Sequence, residues 1–308
     1  FYFLFIIILY INMDELTHAF SIKNSISDKT KTNYQNYYKR MLSLLGGKEI
    51  IKSTNKKIIK VLKDDTQIPA SSKMALLNVA IVIKQTHDLN TDQLLKFRDT
   101  GREKLTEQIA TKNIELEKQL PTLKELNTFM NELYKEKDWD AFLVNYLLIN
   151  FSVRNMDLDL IITIDKEDVK PGDNYLLVQK STIKYIRYNY KTANTYGAKQ
   201  NVIRSAKVMR ACMEMLGDEP NALLLSRNNG KRIADNSLNN AVSSKTFDNI
   251  GEGKYAKIII RDSGKSAAEI SKNRGTSVAV LSSNYDVKNQ VAKPAMSAAE
   301  KKLNAKKK

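Results

Sequence analysis

The chain has 308 residues, with 50 Lys and Arg against 34 Asp and Glu, a formal net charge of +16 and an isoelectric point near 9.6. That length suits two ordinary domains, each with its own core. The charge favours a polyanion, nucleic acid ahead of an anionic membrane surface, because no strongly amphipathic, lysine-faced helix with aromatic anchors stands out. Cys212 is the only cysteine, which excludes an internal disulfide and a thiolate metal site and predicts an intracellular protein.

Residues 1–12, FYFLFIIILYIN, precede the first methionine and carry no charge. They are too short to span a bilayer and lack the basic flank and small-residue cleavage site of a signal peptide, so they are expected to be a leader outside the fold. From Met13 to about Leu120 apolar residues recur at helical spacing, in TNYQNYYKRMLSLLG, NKKIIKVLKDD and SSKMALLNVAIVIKQTHDL. Lys29, Lys31, Lys39 and Arg40, then Lys56, Lys57 and Lys60, give the first helices a basic face. Taken alone, such lysines are a solvated surface. Tyr34, Tyr37 and Tyr38 are expected in the core rather than stacked on bases, and His18 and His87 are ordinary core or surface histidines.

Residues 90–120 alternate charge signs over a thin apolar stripe, the composition of an exposed connecting helix. Pro121 ends it, and Thr122 with Glu125 forms a capping box for the next helix. The domain boundary is therefore placed at about Leu120. Two helices follow, the second strongly apolar and leading to Arg154 with Asp157 three positions on. After a turn-rich passage from Asp165 to Gly172, YLLVQ, TIKYIRYNYKT and NVIRS read as strands. In the middle one Lys184, Arg187 and Lys191 interleave with Tyr185, Tyr188 and Tyr190. Such a hairpin either lies along a groove with its cations on phosphates or is an edge strand protected by charge. SAKVMRACMEMLG is a helix ending at Gly217, and a short apolar strand, a Gly-containing turn and a helix opening near Ser237 come next. The last chemistry-rich stretch, Lys254 to Asp286, places Arg261 in an apolar run and Tyr285 beyond a small-residue turn. An arginine among apolar residues is costly unless it meets an anion, and its planar fork suits phosphate oxygens. Residues 291–308 end in a lysine cluster and are expected to be a disordered basic tail.

Arg154-Asn155-Met156-Asp157-Leu158, Lys191 in YNYKTANTYG, Arg261 in KIIIR and Tyr285 in LSSNY, in that order, resemble the motifs of the tyrosine recombinase (phage integrase) superfamily. The family's histidines have no counterpart: Ile258 and Thr276 stand in their places, and no histidine follows His87. The Arg261–Tyr285 spacing is also shorter than usual. The resemblance implies an α+β protein, with an N-terminal all-α, SAM-like DNA-binding domain over residues 13–120. A mixed, mainly helical catalytic domain with a small antiparallel sheet would follow over residues 121–290.

It further implies site-specific cleavage and rejoining of double-stranded DNA by a homo-tetramer, through a phosphotyrosyl intermediate, with neither metal nor cofactor. The resemblance points to phages, mobile elements and large DNA viruses, and to a DNA-associated protein of the cytoplasm or host nucleus. The helical domain would close a clamp on the duplex through Lys31, Lys39 and Arg40, with Lys184, Arg187 and Lys199 as further DNA contacts.

By the same resemblance Arg154 and Arg261 would neutralise the scissile phosphate, Tyr285 would attack it and Lys191 would protonate the leaving oxygen. Asp157 would hold Arg154 in register, with Thr276 in support and Lys257 standing in for the missing histidine. Removal of the tyrosine proton is left among Lys257, Asp262 and water. Lys199 is the alternative acid, and an intrahelical Arg154–Asp157 ion pair is the plain alternative to a catalytic arginine. A type IB topoisomerase, or a decayed recombinase kept as a DNA-binding protein, fits the same residues.

With basic residues spread along the chain, DNA affinity is predicted to fall steeply with salt, several counterions being released on binding. It should also weaken in a fragment that starts at Pro121. A flat salt titration, or full affinity in that fragment, would contradict the shared electrostatic surface.

Overall fold

The computed structural model describes residues 14–285 apart from residues 24, 25 and 27. The leader expected at 1–12 and the tail expected at 291–308 lie outside the described residues. The fold is mixed α and β, dominated by helix, and divides into two compact units, residues 1–109 and 110–308. The division falls inside a helix, some ten residues before the boundary expected from Pro121.

The first unit is helical: α1 (Asp14–Ile22), α2 (Asp28–Leu44), α3 (Asn55–Asp64), α4 (Ala70–Thr86) and the start of α5 (Asp92–Glu117). Leu16, Tyr38, Met41, Leu45, Ile58, Leu62, Leu76, Leu77 and Ala80 form its core, with Tyr34 and Tyr37 packed against it. Buried Glu15 fastens the unit, accepting from the Tyr38 hydroxyl at 2.7 Å and from the Ile50 and Ile51 amides at 3.0 Å each. His18 and His87 stack with ring centroids 4.6 Å apart. Lys39 and Arg40 are exposed, and Lys31 pairs with Asp28 at 3.1 Å.

In the second unit α6 (Leu123–Glu136) opens on the expected capping box between Thr122 and Glu125. The next helix, α7 (Trp139–Phe151), has eight of its thirteen residues buried and none exposed, because α6 and three later helices pack around it. Those helices are α9 (Ala206–Leu216), α11 (Glu252–Asp262) and α12 (Ala267–Arg274), and α13 (Val278–Asn284) follows α12. Between them run β1 (Leu160–Thr163), β2 (Asn174–Val178), β3 (Ile183–Arg187), the single-turn α8 (Ala193–Tyr196), β4 (Lys199–Ile203), β5 (Asn221–Leu223) and α10 (Asp235–Ser243).

The strands form one sheet in the order β4-β3-β2-β1-β5. It is mixed rather than antiparallel: β1 and β2 run parallel, Leu160 beside Asn174, while the other pairs are antiparallel. The turn-rich passage between β1 and β2 carries the chain back to the starting end, which a parallel pair requires. The hairpin strand β3 is interior, not an edge, and β4 is the edge, alternating half-buried and exposed residues before buried Ile203. Leu160, Ile162, Leu176, Val178, Ile183, Tyr185 and Ile203 face the main core. Tyr175, Leu177 and Ile186 form a smaller cluster of their own.

The segment after α7 departs from expectation. The apolar run LDLII was expected to end a helix carrying Arg154, yet α7 stops at Phe151, where Ser152 takes a left-handed φ of 52°. Residues Asn155–Leu158 make one 3-10 turn and the run then becomes β1. Asp157 explains the turn: its Oδ2 accepts from the Arg154 amide at 3.4 Å and from Arg187 Nη1 at 3.2 Å. Arg187, expected on DNA, is 1% exposed and further committed to the Asn273 carbonyl and Asn201. Its role is structural, since a guanidinium enclosed by the sheet cannot reach a phosphate.

Removing one member of such a pair strands the other in the interior. Asp157→Ala should destabilise the protein by about 3–5 kcal/mol in urea unfolding. Asp157→Leu with Arg187→Met, which removes both charges and keeps the volume, should recover most of that loss. Equal losses in the single and double variants would refute the account.

Candidate active site

The ends of α7 and α12 meet, and the meeting is made by two arginines. Helix α12 begins on Ser266, whose hydroxyl accepts from the Glu269 amide, and ends on Gly275 with φ 64° and ψ 46°. Gly275 is needed there twice over. Its φ is one that residues with a Cβ seldom adopt, and a Cβ would sit 2.7 Å from Thr192 Oγ1 and 3.1 Å from Lys199 Nζ. The tight exit turns the last carbonyls of α12 toward Arg154, whose Nη1 donates to the Arg274 carbonyl at 3.1 Å and the Gly275 carbonyl at 3.5 Å. Arg154 Nη2 donates to the Thr276 hydroxyl. Arg274 answers in kind, its Nη1 donating to the Ser152 and Val153 carbonyls at 2.9 and 3.1 Å.

Arg274 is completely buried. Its Nη2 is shared between Glu252, in the first turn of α11, and the Tyr285 hydroxyl at 3.3 Å, and its guanidinium carbon lies 4.9 Å from the Tyr285 ring centroid. Tyr285 itself is half-buried, at the C-terminal end of α13, with its amide donating to the Leu281 carbonyl. Burial lowers the Arg154 pKa, and the neighbouring Arg274 charge adds to that, against the pull of Asp157, Glu252 and Tyr285. For Arg274 the carboxylate of Glu252 and the Tyr285 oxygen outweigh desolvation, so its pKa is raised.

The lysine at this place is Lys199, not Lys191. Lys191 is exposed in the turn after β3. Lys199 opens β4, and its Nζ donates to the Lys272 carbonyl, 4.9 Å from the Tyr190 ring centroid. Burial, and then the Arg187 charge, push its pKa down to about 8. Tyr190, whose hydroxyl bonds the Gly197 carbonyl at 2.7 Å, walls this lysine off.

Of the sequence-expected residues, Arg154, Asp157, Thr276, Lys199 and Tyr285 therefore come together, with Asp157 acting on the Arg154 backbone rather than on its guanidinium. Arg261 does not join them. It sits at the C-terminal end of α11, donating to the Pro121 carbonyl at 2.6 Å and to Asp262 at 2.7 and 2.8 Å, while Asp262 accepts from the Leu123 amide at 3.0 Å. Lys257 is likewise engaged elsewhere, on the Asn113 side chain. Lys184 lies half-buried on β3 opposite Leu177 and Val202. Arg274 and Glu252 escaped the sequence reading. The signal available for Arg274 was its place directly before the glycine and threonine that precede the tyrosine.

Chemically, the arrangement gathers three cations, Arg154, Arg274 and Lys199, near one half-buried tyrosine, with the Glu252 carboxylate set against Arg274. It suits an anion bound at Arg154 and Lys199. It also suits a phenol whose oxygen already receives a hydrogen bond from a guanidinium. No group of side chains suited to holding a metal ion occurs among the described residues, and none of their helices is long and apolar enough to cross a membrane.

No protein-family model and no curated protein matches the chain. A solved structure of the XerA recombinase is similar at 14% identity with a TM-score of 0.31, over 96% of this chain and 98% of that one.

Lys199 should stand apart from the other lysines in a pH-titrated labelling experiment with an acylating reagent. Its modification should follow a midpoint of about 8, against the ordinary lysine value of 10.5. The sign follows from desolvation, which disfavours the charged ammonium. A midpoint above 10 would mean that Lys199 is not enclosed by Tyr190 and the end of α12.

Proposed function

We propose that this chain cleaves and rejoins DNA strands through a covalent bond between Tyr285 and a scissile phosphate. The observation that carries the reading is the hydrogen bond from buried Arg274 to the Tyr285 hydroxyl, made beside Arg154 and Lys199. A phenol is a weak nucleophile at neutral pH unless its developing negative charge is stabilised. A guanidinium donating to its oxygen does that. Arg154, half-exposed and anchored by the α12 carbonyls, is positioned to receive the phosphate with its charge held in place before reaction.

In the cleavage step the Tyr285 oxygen bonds to phosphorus, the bond from phosphorus to the 5′ oxygen breaks, and that oxygen takes a proton from Lys199. A lysine whose pKa is about 8 is largely protonated at neutral pH and gives its proton up more readily than an ordinary one. Rejoining reverses each transfer, so the phosphotyrosyl bond conserves the energy of the broken linkage. The reading extends to site-specific recombination by a tetramer on DNA, since exchange of all four strands of two duplexes uses one tyrosine per strand. A monomer relaxing supercoils would use the same chemistry once.

The test is a nicked substrate that traps the covalent complex. Wild type should form a denaturant-stable adduct, and Tyr285→Phe should form none while keeping its DNA affinity. Arg154→Lys and Arg274→Lys should slow adduct formation by about two orders of magnitude or more. Arg261→Lys should change it by less than threefold. Lys199→Ala should fail on ordinary DNA and recover on a substrate with sulfur at the bridging 5′ position, because a thiolate leaves without a proton. Rescue of Lys191→Ala instead, or an adduct with Tyr285→Phe, would overturn these assignments.

A further inference from the structure

Glu252 carries a geometry that the phosphate-binding residues leave unexplained. It lies in the first turn of α11, 22% exposed, and accepts from Nη2 of Arg274, the same nitrogen that donates to the Tyr285 hydroxyl at 3.3 Å. Two oxygens that share one nitrogen lie at most about 6 Å apart, the span of a single bridging water. The very next residue shows how closely the start of α11 approaches the ring, since a Cβ at Gly253 would lie 3.9 Å from a Tyr285 ring carbon. The other carboxylates considered are committed: Asp157 is enclosed with Arg187, and Asp262 holds Arg261 and the Leu123 amide. Of the charged groups around Glu252, Arg274 bonds it directly and Arg154 feels its charge at longer range.

Resting on the strand-cleavage reading above, we infer that Glu252 is the general base that takes the Tyr285 proton. As the phenol oxygen bonds to phosphorus, its proton passes through one bridging water to the Glu252 carboxylate. The phosphorus–oxygen bond on the 5′ side breaks and Lys199 protonates the departing oxygen. In rejoining, Glu252 returns the proton to Tyr285. Arg274 lies between the two oxygens and stabilises whichever of them is charged.

The experiment measures single-turnover adduct formation against pH on the nicked substrate, for wild type, Glu252→Gln and Glu252→Asp. The glutamine variant keeps an acceptor for Arg274 and loses the base. The wild-type rate should show an acid limb, as a reaction that uses a carboxylate base does. Glu252→Gln should be slower near neutrality by about a hundredfold or more. It should also lack the acid limb, its rate rising with hydroxide because only preformed phenolate reacts. DNA affinity should be unchanged.

A glutamine variant within threefold of wild type, or one slowed equally at every pH with its acid limb intact, would overturn the role and leave Glu252 a holder of Arg274. Should urea unfolding show that Glu252→Gln does not fold, Glu252→Asp decides. A carboxylate withdrawn by one methylene should cost at least tenfold and keep the acid limb, and a wild-type rate would overturn the inference. A wild type that forms no adduct overturns the strand-cleavage reading itself, whereas an active wild type with an unaffected glutamine variant overturns the base alone.

Discussion

Arg154 and Arg274 cap each other's helices. Arg154 follows α7 and donates to the terminal carbonyls of α12, while Arg274 ends α12 and donates to the carbonyls just past α7. The last carbonyls of a helix lack intrahelical partners and carry the negative end of its dipole, so a cation there satisfies acceptors and charge together. Two chain segments 120 residues apart in sequence are thereby fixed against one another, and Tyr285, eleven residues beyond Arg274, is brought in with them. The candidate site exists because this exchange of donors exists.

Such a cluster concentrates positive charge in a poorly solvated place, and the surroundings divide the cost unevenly. Arg274, the most enclosed, has a carboxylate, a phenol oxygen and two carbonyls. Arg187 has Asp157. Lys199 has a carbonyl and two aromatic faces but no carboxylate of its own, so it absorbs the strain as a lowered pKa. A uniform set of cations thus acquires different chemical properties. Arg274 stays charged beside the Tyr285 hydroxyl, Arg154 keeps a half-exposed face, and Lys199 gives up its proton more readily than an ordinary lysine.

Much of this was legible in the residues. The capping box at Thr122, the strongly apolar character of α7 and the hairpin follow from patterns of apolar spacing and turn chemistry that act over a few residues. An arginine in an apolar run needs an anion, so in the sequence Arg261 reads as a phosphate-binding residue. The structure satisfies it with the carboxylate of the adjacent Asp262 and with the carbonyl of Pro121, a partner remote in sequence that no local pattern reveals. Lys191 and Lys199 both sit near the hairpin. Only the register of β3 with β4, Arg187 beside Lys199, decides which of them lies against the end of α12.

The sequence by itself determined the excess of positive charge, the capped start of α6 at Thr122 and the order in which arginine, lysine and tyrosine arrive. These depend on composition and on backbone preferences that each residue carries with it. Tertiary structure alone decided that β1 pairs in parallel with β2 and that Asp157 turns to Arg187. It also selected Arg274 in preference to Arg261, and set Glu252 across one guanidinium nitrogen from Tyr285. Those outcomes depend on which buried donor finds which acceptor once the helices have packed. That is settled by distances between segments far apart in the chain, for which the linear order of residues holds no code.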